Sequence, residues 1–118
     1  MALDAQDTGP RPVLDDARIE ALEDVIGEQA VARVLHEFLA TLSSYGDDLV
    51  RAKDGDRAAG AIRAHALKGA AEQVGAAALA AVARRWEAGL RGGDVGGLSI
   101  DELREAIDAA RAALEAKA

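Results

Sequence analysis

The chain contains no cysteine, only two prolines, and one each of phenylalanine, tyrosine and tryptophan among its 118 residues. Without cysteine there can be no disulfide and no thiolate chemistry, although this does not fix the compartment. With so few large flat side chains, a sheet sandwich would lack the volume that fills its interior. Basic excess is lacking too: 21 acidic against 14 basic residues give a formal charge of -7, with no compact Lys/Arg cluster. Nucleic-acid binding, which needs a basic footprint, is therefore not expected. No secretory signal and no continuous apolar run of bilayer length are visible, so the expected location is cytoplasmic, with no membrane insertion.

Alanine and leucine dominate the apolar half of the composition, and both favour closely packed helices. At 12.2 kDa the chain suits one modest domain. The expected organisation is an N-terminal arm over residues 1–13, containing Gly9, Pro10 and Pro12, followed by a helical domain over 14–118.

Five helices account for the periodicity. Asp15 has the position of an N-cap, with Leu14 and Ile19 spaced as a hydrophobic staple, and a short first helix should end near Gly27. From Glu28, the positions Val31, Leu35, Phe38 and Leu42 repeat on one face, and Leu49 extends that face if the helix continues past Gly46 to Ala52. Asp56 then caps a third helix that should stop around Gly75. A fourth runs from Ala76 to Leu90 with Leu79, Val82, Ala83, Trp86 and Leu90 inward; Trp86 thus belongs to the core. Arg91 to Gly97 should form a flexible loop. Ser99 and Glu102 form a capping box for a last helix that buries Leu103, Ile107, Ala110 and Leu114. The expected fold class is all-α: an antiparallel four-helix bundle with the short first helix added as a lid.

Two histidines remain to be placed. His36 lies beside the apolar seam of the second helix without chemical company, as a surface or boundary residue. His65 is different, because it opens His65-Ala66-Leu67-Lys68-Gly69, followed by Gly75. On the third helix, Ala64, Leu67, Ala71 and Val74 form the expected core stripe. Ala61, His65, Lys68 and Glu72 fall opposite, beside Gly69. Arg63 sits near the inner half, where its long stem should snorkel outward.

An imidazole can present an unprotonated ring nitrogen as a nucleophile near physiological pH. Attack on an activated phosphoryl group would give an N-phosphoryl intermediate. Lys68, three residues on, can offer a mobile positive charge to phosphoryl oxygens. Gly69 costs about 1 kcal/mol of helix propensity relative to alanine, which suggests an access or packing reason for its presence.

The H-x-L-K-G pattern with Gly75 resembles the histidine-containing phosphotransfer (HPt) domain family. The resemblance extends from about Leu14 to Leu114 and is most specific over residues 61 to 87. It implies reversible phosphoryl transfer between receiver-domain aspartates through His65, which acts as nucleophile and phosphate carrier. Lys68 matches the family lysine that assists near the phosphoryl group. Gly69 matches the small residue that clears the docking surface, and Gly75 the turn after the histidine helix. Ala70 stands where many relatives carry serine, and its small size still suits inward packing.

Glu87 adds a contact from the next helix. About ten residues down from His65 to the turn and about twelve back give rises of roughly 15 and 18 Å, which places the two side chains opposite one another. The family resemblance puts a glutamine or glutamate here, hydrogen-bonded to the histidine. A carboxylate holding one ring nitrogen leaves the other free for phosphorylation. The expected docking patch comprises Ala58, Ala61, Gly69 and Glu72 around His65.

The chain shows no P-loop, glycine-rich kinase loop or ATP-binding catalytic domain, so it should relay phosphoryl groups as a transfer intermediate and not as an autonomous kinase. No intrinsic cofactor or metal is expected; a divalent cation is expected in the partner receiver. The partners implied are receiver domains of response regulators or hybrid histidine kinases, met by a monomeric bundle. Two other readings stay open on the sequence: a helical domain that docks a receiver without transfer, and an oligomerisation or scaffold module.

Overall fold

The computed structural model describes residues 11–117; most of the expected arm, residues 1–10, lies outside the described residues. Five α-helices follow in order: α1 (Asp16–Ile26), α2 (Glu28–Lys53), α3 (Arg57–Gln73), α4 (Ala77–Leu90) and α5 (Ile100–Glu115), with a 3-10 turn (Val95–Gly97) before the last. No strand occurs among the described residues, and the architecture is all-α as expected. None of the described helices is long and apolar enough to cross a membrane.

Local chemistry sets most helix ends. Asp15 accepts from the Arg18 amide at 3.3 Å and Asp56 from the Ala59 amide at 3.0 Å, satisfying amide hydrogens that the first turns of α1 and α3 cannot bond internally. Ser99 accepts from the Glu102 amide at 3.1 Å at the start of α5. The expected return contact from Glu102 is not made, because its carboxylate instead pairs with Arg85 of α4 at 2.9 Å. Gly27 and Gly75 both have positive φ, 86° and 75°. At Gly75 a Cβ would also lie 2.8 Å from the Asp15 carbonyl oxygen, so backbone conformation and space both require glycine there.

Side-chain register shows that neighbouring helices run antiparallel. Rising numbers on α3 meet falling numbers on α4, as Gly60 approaches Leu90 and His65 meets Glu87. Likewise Asp47 and Ser43 on α2 meet Arg104 and Arg111 on α5. α2 remains one helix of 26 residues through Gly46. Gly46 is there for packing: a Cβ would come within 2.8 Å of Ile107 Cδ1. Gly60 allows α3 to approach Ala52 of α2 even more closely.

The core follows the expected stripes. Leu35, Leu42 and Leu49 of α2, Ala64, Leu67 and Ala71 of α3, Leu79 and Trp86 of α4, and Leu103 and Leu114 of α5 are all nearly inaccessible to solvent. Trp86 is the largest fully buried side chain, a core residue as its helical spacing required. Of the two staple positions, Ile19 is buried and Leu14 packs on the core.

α1 closes one end of the bundle. The Asp15 amide donates to the Gly75 carbonyl at 2.7 Å and the Ala78 amide to that of Pro12 at 2.9 Å, tying the entrance of α1 to the turn between α3 and α4.

One expectation is corrected here. Ala61 is buried, only 4% exposed; three residues before Ala64, it belongs to the same inward stripe and is not an exposed docking contact. The loop after α4 is organised by its own contacts: Asp94 accepts from the Gly96 amide at 2.9 Å, Leu98 is buried, and the Leu98 carbonyl accepts from Lys53 at 2.9 Å. Arg63 does reach outward, but to defined partners. Its Nε donates to Asp48 at 2.9 Å and its guanidinium lies 3.9 Å over the Tyr45 ring. With Arg63 first and Arg51 second as hydrogen-bond donors, the Asp48 carboxyl is held below the usual carboxylate range.

Candidate functional site

Asp56 at one end and the Gly75 turn at the other hold α3 so that its inward stripe faces the bundle. His65 therefore points outward, its side chain 60% exposed. The tight turn sends α4 back along α3 and brings Glu87 opposite His65. The distance from Nδ1 to Oε2 is 3.0 Å. An ionised carboxylate has only acceptor sites, so Nδ1–H donates, and Nε2 is the ring nitrogen directed away from Glu87, carrying the lone pair in the neutral imidazole.

Glu87 is the centre of a wider arrangement. Its Oε1 lies 3.6 Å from Lys68 Nζ, and its Oε2, already held by His65, also accepts from Arg91 at 2.8 Å. Partial burial pushes the Glu87 carboxyl up. The His65 hydrogen bond and the nearby charges of His65, Lys68 and Arg91 outweigh that effect, and the group is held below its ordinary value of 4.5. Two cations thus meet one carboxylate beside the histidine, on a chain whose formal charge is -7. Such an environment can accept an anionic group near Nε2.

A group with a lowered folded-state pKa stabilises the fold fully above its unfolded value, and that contribution is lost as pH falls through the folded value. For Glu87 the loss lies below about pH 4.5. Urea unfolding of Glu87→Gln should accordingly show a shallower fall of stability in that acid range than the unsubstituted protein. Equal slopes would mean that the carboxylate is not coupled to its cationic neighbours.

Of the expected docking residues, Ala58, Gly69 and Glu72 are exposed, whereas Ala61 is not. A Cβ at Gly69 would meet nothing within 4 Å, so nothing within the described residues requires a glycine there. Gly69→Ala should therefore stabilise the isolated protein by about 1 kcal/mol, the helix-propensity difference. A lowered melting temperature would reveal an internal constraint at this position.

Arg91 is the site residue that the sequence reading missed. It closes α4 as its C-cap residue at the entrance to a glycine-rich loop, and composition assigned it to that loop. Its signal was the Glu87–Arg91 spacing of four, the arrangement in which a helical carboxylate and a cation meet. His36, by contrast, is exposed on α2, away from this cluster.

The fold and site together define a class: an antiparallel helical bundle presenting one solvent-facing histidine, oriented by a carboxylate from the adjacent helix and flanked by cations. The family model for the Hpt domain matches residues 33–113. The chain belongs to the Hpt domain family, a membership consistent with a role in phosphorelay signal transduction. Comparison with curated proteins and with solved structures returned no match.

Proposed function

We propose that this protein relays phosphoryl groups between receiver-domain aspartates through a phosphohistidine at His65. The observation that carries the proposal is the His65–Glu87 pair, 3.0 Å apart, which orients an exposed imidazole with Nε2 open to solvent.

In the forward step, the Nε2 lone pair attacks phosphorus of an aspartyl phosphate. A P–N bond forms, the P–O bond to the aspartate breaks, and the aspartate leaves as a carboxylate with the bonding electron pair. Nδ1 keeps its proton, so the positive charge gained by the ring faces the Glu87 carboxylate. No proton has to leave in this step. Lys68 has only a 3.6 Å contact with Glu87 and a flexible stem, and it turns toward the phosphoryl oxygens as the charge moves. A divalent cation held by the partner receiver would supply further neutralisation of the phosphoryl charge. Transfer to a second receiver reverses these events.

Ala58 and Gly69 keep the surface beside His65 low, so a receiver can bring its aspartate within bonding distance. Gly69→Ala, expected to stabilise the free protein, should therefore slow transfer. Opposite effects on stability and transfer would separate docking from folding.

The direct test is incubation of the purified protein with phosphorylated receivers, followed by analysis of the label it acquires. Acid-labile, base-stable label at His65 is expected. Receiver binding without any transfer would favour a docking domain, and burial of the His65 face in a homomeric contact would favour a scaffold.

A further inference from the structure

One helical turn beyond His65, an open cleft of about 1160 Å³ lies between the entrance of α1, the end of α3 and the outer face of α4. Its floor is low because Gly69, Ala77 and Ala81 contribute little side-chain volume. Its walls carry Arg11, Arg18, Arg84 and Arg85, against two carboxylates, Asp15 and Glu72. This is a local concentration of positive charge on a chain of formal charge -7.

These arginines differ in their engagement. Arg18 donates through Nε to the Glu72 carbonyl at 3.4 Å, and Arg85 pairs with Glu102 at 2.9 Å. Arg84 is exposed and has no hydrogen bond or ion pair among the described residues. It also lies three residues before Glu87, about 4.5 Å along the axis of α4, on the ridge that continues to Arg91. Gly69 and Glu72, which line the cleft, share a helical face with His65. The cleft and the histidine are therefore parts of one continuous surface.

We propose that this cleft receives an acidic segment of the receiver that exchanges phosphate with His65, and that Arg84 is a specificity-determining contact for it. This rests on the relay function proposed above. Charge complementarity selects the occupant: on a chain of formal charge -7, four arginines face two carboxylates here, and an uncommitted guanidinium stands over a shallow floor beside the reacting histidine. Nucleic acid and anionic lipid fit less well, because Asp15 and Glu72 interrupt the basic wall and the net charge of the chain opposes a phosphate polymer or membrane surface. Arg84 acts on encounter and register, leaving the chemistry to His65, Lys68 and Glu87.

The test uses the full chain, its Arg84→Glu and Arg84→Lys variants, and a panel of purified receivers, assayed for both binding and phosphotransfer. In low salt, about 20 mM, Arg84→Glu should raise the Kd and KM for the preferred receiver about tenfold or more. At saturating receiver, kcat should stay within about twofold, because the reacting groups are untouched. Arg84→Lys should recover much of the loss, and in about 0.5 M salt the difference between Arg84→Glu and the unsubstituted protein should shrink. A merely structural residue would not produce this split of KM from kcat with its salt dependence. Circular dichroism checks that the exposed substitutions leave the helices intact.

Transfer with an Arg84→Glu KM equal to that of the unsubstituted protein at low salt would overturn the cleft assignment and leave the relay standing. Binding that depends on Arg84 without any transfer would do the opposite. If no receiver either binds or exchanges phosphate, both fall; if only nucleic acid or anionic vesicles bind the cleft, the receiver assignment falls.

Discussion

Replacing His65 by glutamine should abolish phosphate acceptance, to below about a thousandth of the original rate, with helicity and melting temperature nearly unchanged. The amide nitrogen of glutamine is not nucleophilic, so the P–N bond cannot form at all. Folding is spared because the His65 side chain is largely exposed and belongs to no core stripe. Glu87 retains Lys68 and Arg91 as charged partners after the change, so no carboxylate is left isolated. Exposed substitutions of this kind usually stay within about 0.5 kcal/mol. Labelled phosphate from a phosphorylated receiver supplies the measurement. Retention of acid-labile, base-stable label on the glutamine variant would move the carrier role to another residue.

Trp86→Ala should have the largest effect on stability, a loss of about 3–5 kcal/mol. Trp86 is fully buried, and alanine there would leave a cavity between helices that already pack through small residues. The neighbouring helices cannot collapse freely to fill it. Gly60 and Gly46 show that α2, α3 and α5 already approach one another as closely as side-chain contacts allow. In a domain of this size such a loss takes a large share of the total stability. Trp86→Phe should cost much less. Among the described residues the Trp86 Nε1–H has no hydrogen-bond partner, so the substitution breaks no hydrogen bond between them. Urea unfolding of both variants gives the comparison; a loss in phenylalanine as large as that in alanine would assign the indole N–H a structural role. The adjacent Glu87 links this core residue to the candidate site, since any shift in α4 would also move the carboxylate that meets His65.

The site was readable where it depended on one helix or on one short turn. His65 and Lys68 share a face because three residues make nearly a full helical turn, and Gly75 ends the helix at a distance that can be counted. The same counting brings Glu87 opposite His65, and the two side chains do meet at 3.0 Å. Ala61 shows where periodicity loses resolution. An alanine-rich helix offers little contrast between its faces, and Ala61, on the edge of the Ala64 stripe, is buried where α3 approaches α2 through Gly60 and Ala52.

Arg91 and Glu102 reveal a second limit. A loop-like composition concealed a cation that finishes the site, while a capping sequence promised a carboxylate that was taken by Arg85 instead. In both cases the outcome rests on competition between charged side chains, which a one-dimensional pattern does not rank. The arginine-lined cleft is further removed from the sequence, because its walls come from the α1 entrance, the end of α3 and the outer face of α4.

By itself the sequence determined the all-α class, the positions of the helices, the core seams with Trp86 among them, and the helix that carries His65 outward. These properties follow from a period of 3.6 residues, from capping side chains, and from the backbone freedom of glycine, all of which act within a few residues. Only the tertiary structure decided that Lys68 and Arg91 converge on the Glu87 carboxylate, that Ala61 is buried, and that a cleft with four arginines adjoins the histidine on an acidic protein. Those arrangements depend on the axial register and rotation of packed helices, where a shift of one residue turns a side chain by about 100° and replaces its partners.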